Sequence, residues 1–342
     1  MSSPRRVLVV GAGAMGRRWA AAVTTREDLE LVAWVDTDRD VAARAVAELA
    51  SRGVPSERTI VVEDSLARAL VAATPDFVID VAVPEAHRDV TLACLGEGVP
   101  VLGEKPMAVT LDDARELVEA SERSGTLFAV SQSRRYNAKL TALRGLVDDH
   151  LGYPEMVACW FYRAPHVGDV REEMDSPLVV DMAIHVFDVA RWDVARWIVG
   201  SDPVSVYCEE HNPSWSWYRG AASATAVFEL SGGEWFSYSG SWCSPGLETS
   251  WEGDWRVTSA AGTATWDGAS TPVAELESGT VLGVPDSTAP VGISGSLAEF
   301  VRALDGGPDP MGECHDNIKS LATTLAAVRS AATGLRVPVT WA

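Results

Sequence analysis

Short apolar runs at residues 7–10, 29–35, 59–62, 77–83, 99–102 and 127–130 punctuate the first part of the chain. Runs of this length, bounded by turn residues, read as strands buried on both faces. Between them, residues 15–23, the stretch from 65, residues 85–95 and residues 111–124 carry the apolar spacing of helices. The last of these has clear ends: Thr110 as cap, Asp112 and Asp113 in the first turn, and Gly125 as stop. Strand and helix in alternation predict a parallel, doubly wound sheet.

After about residue 131 the rhythm changes. Residues 156–162, 204–209, 222–230, 234–242, 255–259 and 263–266 read as strands, some separated only by turn residues such as Ser231-Gly232-Gly233 and Ala261-Gly262. Such close spacing is antiparallel behaviour. An apolar helix near 178–198 interrupts them, and helices near 295–304 and 314–333 close the chain, the latter stopped by Gly334. The expected fold class is α/β plus α+β, with a nucleotide-binding domain over residues 1–130. An α+β substrate-binding and oligomerisation domain then spans residues 131–342, built on a large, mostly antiparallel open sheet, with its C-terminal helix free to pack back on the first domain.

Composition narrows the classes. The 342 residues are 47% hydrophobic and 22% charged, ordinary for a globular protein and unlike a disordered or collagen-like chain. Against 28 Lys and Arg stand 48 Asp and Glu, a net charge of −20. A surface this acidic repels phosphate backbones and anionic lipid, which argues against nucleic-acid and membrane-surface roles. No apolar run is long enough to span a bilayer, and the run after Arg5-Arg6 is too short for a signal peptide. A cytoplasmic protein is expected. Cys94, Cys159, Cys208, Cys243 and Cys314 are odd in number and scattered, with no C-x-x-C pair. That pattern points to reduced, buried thiols, and no metal site is expected.

The first apolar run leads into Gly11-Ala12-Gly13-Ala14-Met15-Gly16, which fits G-x-G-x-x-G between a strand and a helix, with Asp36 closing the second strand. In a Rossmann unit Gly11 permits the tight turn and Gly13 lets backbone approach a pyrophosphate at the helix N-terminus. Gly16 allows close helix–strand packing. A carboxylate at Asp36 suits free ribose hydroxyls and opposes a 2′-phosphate, so NAD is expected over NADP.

Ligands of such sheets bind beyond the carboxyl ends of the strands. There lie Pro84, Glu85 and His87 after the fourth strand and Glu104-Lys105-Pro106 after the fifth. Taken alone, Lys105 is either a solvated loop residue or a cation that stabilises an alkoxide-like oxygen. The helix at 178–190 is apolar nearly all round except for Asp181, His185 and Asp188, whose spacing puts them on one face. Burying these groups is costly unless they pair or serve a site, so the stripe is either a structural polar cluster or catalytic machinery.

Together, the glycine motif with Asp36, Glu104-Lys105-Pro106 and Asp181-x-x-x-His185 resemble the glucose–fructose oxidoreductase/inositol dehydrogenase (Gfo/Idh/MocA) family over nearly the whole chain. The resemblance implies an N-terminal Rossmann domain and a C-terminal domain with a large, mostly antiparallel sheet. It also implies NAD(P)-dependent hydride transfer at a carbinol carbon of a sugar, cyclitol or related polyol. By the family pattern Lys105 contacts the reacting hydroxyl and the nicotinamide ribose, His185 is the acid/base, and Asp181 binds substrate and supports them. Pro84, His87, Glu104 and Lys105 border the cofactor, together with Ala14 and Met15 of the glycine loop. Gln132, Arg135, Tyr136 and Arg163 fall where relatives carry substrate-proximal side chains. One departure is Ser176-Pro177-Leu178-Val179-Val180, where the family often has a glycine run, so a differently shaped loop bordering the substrate is expected.

Of the tryptophans in the sheet region, most are expected in the core or an interface, with Trp251 and Trp255 the candidates to border a ligand. A homodimer or homotetramer through the second-domain sheet is expected, because its Trp- and Val-rich strands offer more apolar surface than one helical layer covers. Two other functions compete with the dehydrogenase. One is an NAD-dependent glycosidase using a transient oxidation. The other is a non-catalytic dinucleotide-binding sensor or repressor, which the presence of both Lys105 and His185 argues against.

Overall fold

The structure, a computed structural model, describes residues 3–51, 59–164 and 201–342. They form two compact units, Met1–Gln132 with Ile293–Ile318, and Ser133–Gly292 with Lys319–Ala342. The first holds a six-stranded sheet of β1 (Arg5–Val10), β2 (Leu29–Val35), β3 (Val61–Glu63), β4 (Phe77–Asp80), β5 (Val101–Glu104) and β6 (Phe128–Ser131). Their spatial order is β3-β2-β1-β4-β5-β6, and every pairing is parallel. The chain winds outward from β1 in one direction, then restarts on its other side at β4. A crevice therefore opens at the carboxyl ends of β1 and β4.

Helices α1 (Ala14–Thr24), α2 (Arg39–Ser51), α3 (Leu66–Ala73), α4 (Pro84–Gly96) and α5 (Leu111–Ser124) make the connections. The ends of α5 are those read from sequence: Thr110 Oγ1 accepts the Asp113 N–H at 3.1 Å, and Gly125 stops the helix at φ +63°. Helix α2 was not among the expected elements. Its alanines are weak hydrophobes, yet Ala42, Ala45 and Leu49 lie along one buried face. Strand β5 runs two residues beyond the expected 99–102, which makes Glu104 its last residue, paired with Ser131.

Val7, Val9 and Ile79 of the sheet meet Trp19 of α1 and Leu297 and Phe300 of a later helix, α7 (Gly292–Leu304). Leu8 and Val10, pointing the other way from β1, are equally buried, as a sheet covered on both faces requires. Phe300 is fully buried with its ring centroid 5.5 Å from that of Phe77.

In the second unit, α6 (Ala138–Leu146) follows a 3₁₀ turn at Ser133–Arg135 and is capped by the Asn137 side chain, which accepts the Lys139 N–H at 2.9 Å. The sheet contains β7 (Pro154–Tyr162), β8 (Pro203–His211), β9 (Ser223–Leu230), β10 (Trp235–Ser241), β11 (Asp254–Ser259) and β12 (Gly262–Trp266). Beside these lie β13 (Val273–Leu276), β14 (Gly279–Leu282) and β15 (Val337–Pro338). The order is β14-β13-β12-β11-β7-β10-β9-β8-β15, antiparallel at every step except β7–β10. Strict alternation gives the sheet one dry face, with Cys159, Phe228, Phe236 and Val257 buried. The last long helix, α8 (Cys314–Thr333), ties to it through Ser330 Oγ, which accepts the Cys208 N–H at 2.9 Å.

The opposite face is open. Met156 is 61% and Trp235 50% exposed, and they border a depression of about 760 Å³ with Tyr153, Ala158, Val227 and Arg256. Trp242, Trp255 and Trp266 are core residues. Trp255, expected beside a ligand, instead lies nearly parallel to Phe236, its ring at 6.3 Å, and its indole N–H is spent on the Glu252 carbonyl at 2.8 Å. All five cysteines are buried free thiols, and among the described residues no helix is long and apolar enough to cross a membrane.

Because Phe300 inserts between α7 and β4, Phe300→Ala is expected to destabilise the first unit by about 3–5 kcal/mol. Hydrogen exchange of the β4 amides reads the global opening of that unit; protection lowered by less than about 1 kcal/mol would show that α7 does not anchor the sheet.

Candidate functional site

The first unit's site begins at the turn after β1. Gly11 adopts φ +97°, and a Cβ there would lie 2.5 Å from the Val81 carbonyl oxygen. A Cβ on Gly16 would lie 2.0 Å from the Gly11 oxygen. Glycine is required at both points because backbone touches backbone. Gly13 differs: nothing lies within 4 Å of a Cβ built there. It is the N-cap of α1 and no side chain caps this end, so Ala14, Met15 and Gly16 present first-turn N–H groups beside open space.

The acids at the carboxyl ends of three strands fasten the surrounding loops. Asp36, just past β2, accepts the Ala12 N–H at 2.7 Å through Oδ2 and the Asp38 N–H at 3.0 Å through Oδ1. Each oxygen keeps lone-pair capacity for a hydroxyl. Asp80, the last residue of β4, is fully buried and bonds His87 Nδ1 at 2.9 Å and the Ala82 N–H at 3.1 Å. Pro84 opens α4 at its first position, and His87 sits in the first turn behind it. Glu104 ends β5, accepting the Trp19 indole N–H at 2.9 Å and the Lys105 N–H at 3.3 Å. Burial pushes the Glu104 carboxyl above its ordinary value, and the Trp19 bond and the positive charge of Lys105 pull it back. The Lys105–Pro106 peptide is cis.

Gly11, Gly13, Ala14, Met15, Gly16, Asp36, Pro84, His87, Glu104 and Lys105 thus converge on one edge of one sheet. Asp80 and Trp19 were missed from the sequence. The acid at the end of the fourth apolar run, seven residues before a histidine at a helix start, was a readable signal for Asp80. Nothing local marks Trp19, whose partner is distant in the chain.

In the second unit, Arg135 closes the 3₁₀ turn and is nearly fully buried, and the Tyr136 carbonyl accepts the Gly292 N–H at 2.9 Å. Gln132, at the end of the first unit, is buried, and among the described residues its Oε1 has no hydrogen-bond partner. Arg163 follows β7. Its guanidinium donates to the Thr249 carbonyl at 2.9 Å, pairs with Glu248 at 3.1 Å and lies 4.5 Å over the Trp251 ring. Arg134 pairs with Glu252 at 2.8 Å, so two arginines fasten the segment carrying Trp251. Burial raises the Glu252 carboxyl and Arg134 opposes it. Asp181, His185 and Asp188, with the expected helix at 178–198, lie outside the described residues.

The open glycine loop, the uncapped helix start and the Asp36 carboxylate just past β2 fit a dinucleotide. The class is that of an oxidoreductase with an NAD-binding Rossmann fold: residues 5–132 match the family described in those words. The matched family is that of the Gfo/Idh/MocA oxidoreductases, and the match lies within the first unit. It is 25% identical to a 1,5-anhydro-D-fructose reductase of Ensifer adhaerens, over 95% of this chain and 96% of that one. It is 31% identical to an inositol 2-dehydrogenase of Agrobacterium fabrum, over 58% of this chain and 56% of that one. Its fold matches an oxidoreductase of Agrobacterium radiobacter solved with NAD+, L-tartaric acid and magnesium, with TM-score 0.86 and 19% identity over 98% and 99% of the two chains.

The two glycines separate cofactor contact from packing. Gly13→Ala is expected to leave the melting temperature unchanged and weaken NAD binding about tenfold or more, a cost of about 1.4 kcal/mol. Gly16→Ala is expected to lower the melting temperature, because its Cβ meets backbone. Calorimetric NAD titration and thermal melts read both; wild-type NAD affinity in a folded Gly13→Ala protein would remove the glycine loop from the cofactor site.

Proposed function

We propose that the protein is an NAD-dependent dehydrogenase or reductase acting on a secondary alcohol or ketone of a sugar, cyclitol or related polyol. The observation that carries this reading is Lys105, placed directly after β5 on the same sheet edge as the open Gly13 loop. The names of the relatives, an inositol 2-dehydrogenase and an anhydrofructose reductase, support the substrate class. NAD supplies the hydride acceptor when bound.

In the oxidative direction the Lys105 ammonium stabilises the substrate oxygen as its proton leaves. His185 accepts that proton, and Asp181, four positions before it in the sequence, binds substrate and supports the transfer. Glu104, anchored by Trp19, fixes where the Lys105 backbone begins. Asp36 selects the free ribose of NAD over the 2′-phosphate of NADP. In this reading the region from 131 onward supplies the substrate contacts Arg135, Tyr136, Arg163 and Asp181.

A nicotinamide-absorbance screen against cyclitols, aldoses and their keto derivatives, with NAD and NADP in parallel, tests the reading. Lys105→Ala and His185→Ala are each expected to lower kcat/KM by ~10²–10⁴-fold while NAD still binds. Near-normal turnover in either folded variant would sink the catalytic assignment, and equal use of NADP would sink the role of Asp36. Turnover of a glycoside with no net NADH would instead indicate the glycosidase.

The exposed face of the second sheet is proposed to carry a homodimer or homotetramer, since Met156, Trp160 and Trp235 form an apolar patch on it. Trp235→Glu is expected to shift the light-scattering mass to that of the monomer; a monomeric wild type at micromolar concentration would reject the assembly.

A further inference from the structure

Away from the dinucleotide loop, the first unit gathers a second set of chemically active side chains. Glu313, Cys314 and His315 stand at the start of α8, and Glu122 stands in the last turn of α5. The Cys314 Sγ is 2.9 Å from Glu313 Oε1 and 3.5 Å from His315 Nδ1, and those two atoms are 2.7 Å apart. One sulfur, one oxygen and one nitrogen therefore close a triangle. A point roughly 1 Å off its plane lies about 2 Å from all three, the ordinary Zn–N and Zn–O distance, and a few tenths of an ångström of opening reaches the ~2.3 Å of Zn–S.

The other ring nitrogen makes the arrangement more specific. His315 Nε2 lies 2.9 Å from Glu122 Oε1, a carboxylate from a separate helix. A histidine that ligates a metal through one nitrogen commonly gives its other N–H to a carboxylate, which fixes the tautomer and raises the ring's basicity. Glu313 is held as well. Its Oε2 accepts the His315 N–H at 3.0 Å, which leaves Oε1 turned to the triangle, and its backbone bridges to Ala129 of β6. The Val130 N–H donates to the Gly312 carbonyl at 2.8 Å, so the segment is tied to the sheet edge at Ala129 and Val130.

We propose that Glu313 Oε1, Cys314 Sγ and His315 Nδ1 bind a zinc ion, with Glu122 orienting the histidine and water completing the tetrahedron. Sulfur, imidazole and carboxylate together suit zinc, whereas calcium and magnesium prefer all-oxygen sets. On binding, three metal–ligand bonds form, the Cys314 S–H proton and the Nδ1–H proton that His315 gives to Glu313 pass to solvent, and the thiolate and carboxylate neutralise the two charges of the ion. Cys314 opens α8, where the helix N-terminus favours the thiolate. The same residues do not make a nucleophilic triad. Burial pushes the unmetallated Cys314 thiol far above its ordinary value, so no reactive thiolate stands there. His315 is half-exposed, which gives the ion a way in from solvent.

Cobalt(II) titration of chelator-treated full-length protein tests the site, cobalt standing in for zinc with a visible spectrum. One equivalent per chain is expected to bind, with a near-ultraviolet thiolate-to-cobalt band that zinc abolishes. Cys314→Ser is expected to remove the band, and Glu122→Gln to keep it while weakening binding about 10–100-fold. Should Cys314→Ser fail to fold, the half-exposed His315→Ala is read instead and must weaken binding by a similar factor or more. No band in the wild type at stoichiometric cobalt, or a band that survives Cys314→Ser, overturns the site. So does unaltered cobalt affinity in a folded His315→Ala.

Discussion

Three stretches of backbone meet at Gly11 with no side chain between them. Its would-be Cβ position is occupied by the Val81 carbonyl, and its own carbonyl fills the would-be Cβ position of Gly16. This contact draws the start of α1, the end of β1 and the end of β4 together at the reversal of the sheet. The Trp34 indole N–H, donated to the Gly11 oxygen at 3.0 Å, secures the same carbonyl from below. With those three segments pinned, the neighbouring Gly13 is left facing open space, and the helix start with its N–H groups faces it too. The anion-binding geometry follows from close packing rather than from any charged side chain.

Acids at the ends of the central strands extend the principle. Asp36, Asp80 and Glu104 each spend carboxylate oxygens on an N–H of a neighbouring segment: Ala12, Ala82 and Trp19 respectively. A carboxylate accepts several bonds, so one residue can fasten a loop and still meet a ligand. It also means that a protein of strong net negative charge places acids where a phosphorylated cofactor is expected. That arrangement is tolerable because these oxygens are engaged by donors and Lys105 lies beside Glu104.

The second unit solves a different problem. Nine strands present two broad faces, and α6 and α8 supply cover for one. Alternation therefore sorts the aromatic residues by register: Phe236 and Trp255 go to the dry face, whereas Trp235, one step along from Phe236, is left half-exposed. A shift of one residue in β10 would exchange them. The identical residue type thus serves as core at 242, 255 and 266 and as surface at 215 and 235.

Local signals determined much of this. Periodicity marked the strands, Thr110 and Gly125 bounded α5, and the glycine spacing with Asp36 defined the dinucleotide seat, because each depends on residues near one another in sequence. Helix α2 was missed since alanine faces contrast weakly with their surroundings, and β13 to β15 since they are short. Only the tertiary structure decided what distant residues do together. It joined Ile293–Ile318 to the first unit, put Trp19 on Glu104, moved Trp255 into the core, and brought Glu122 to His315. Adjacent in sequence, Glu313, Cys314 and His315 read as an ordinary helix start. Their convergence on one point depends on side-chain directions set by the sheet edge and by α5, and no spacing rule encodes those.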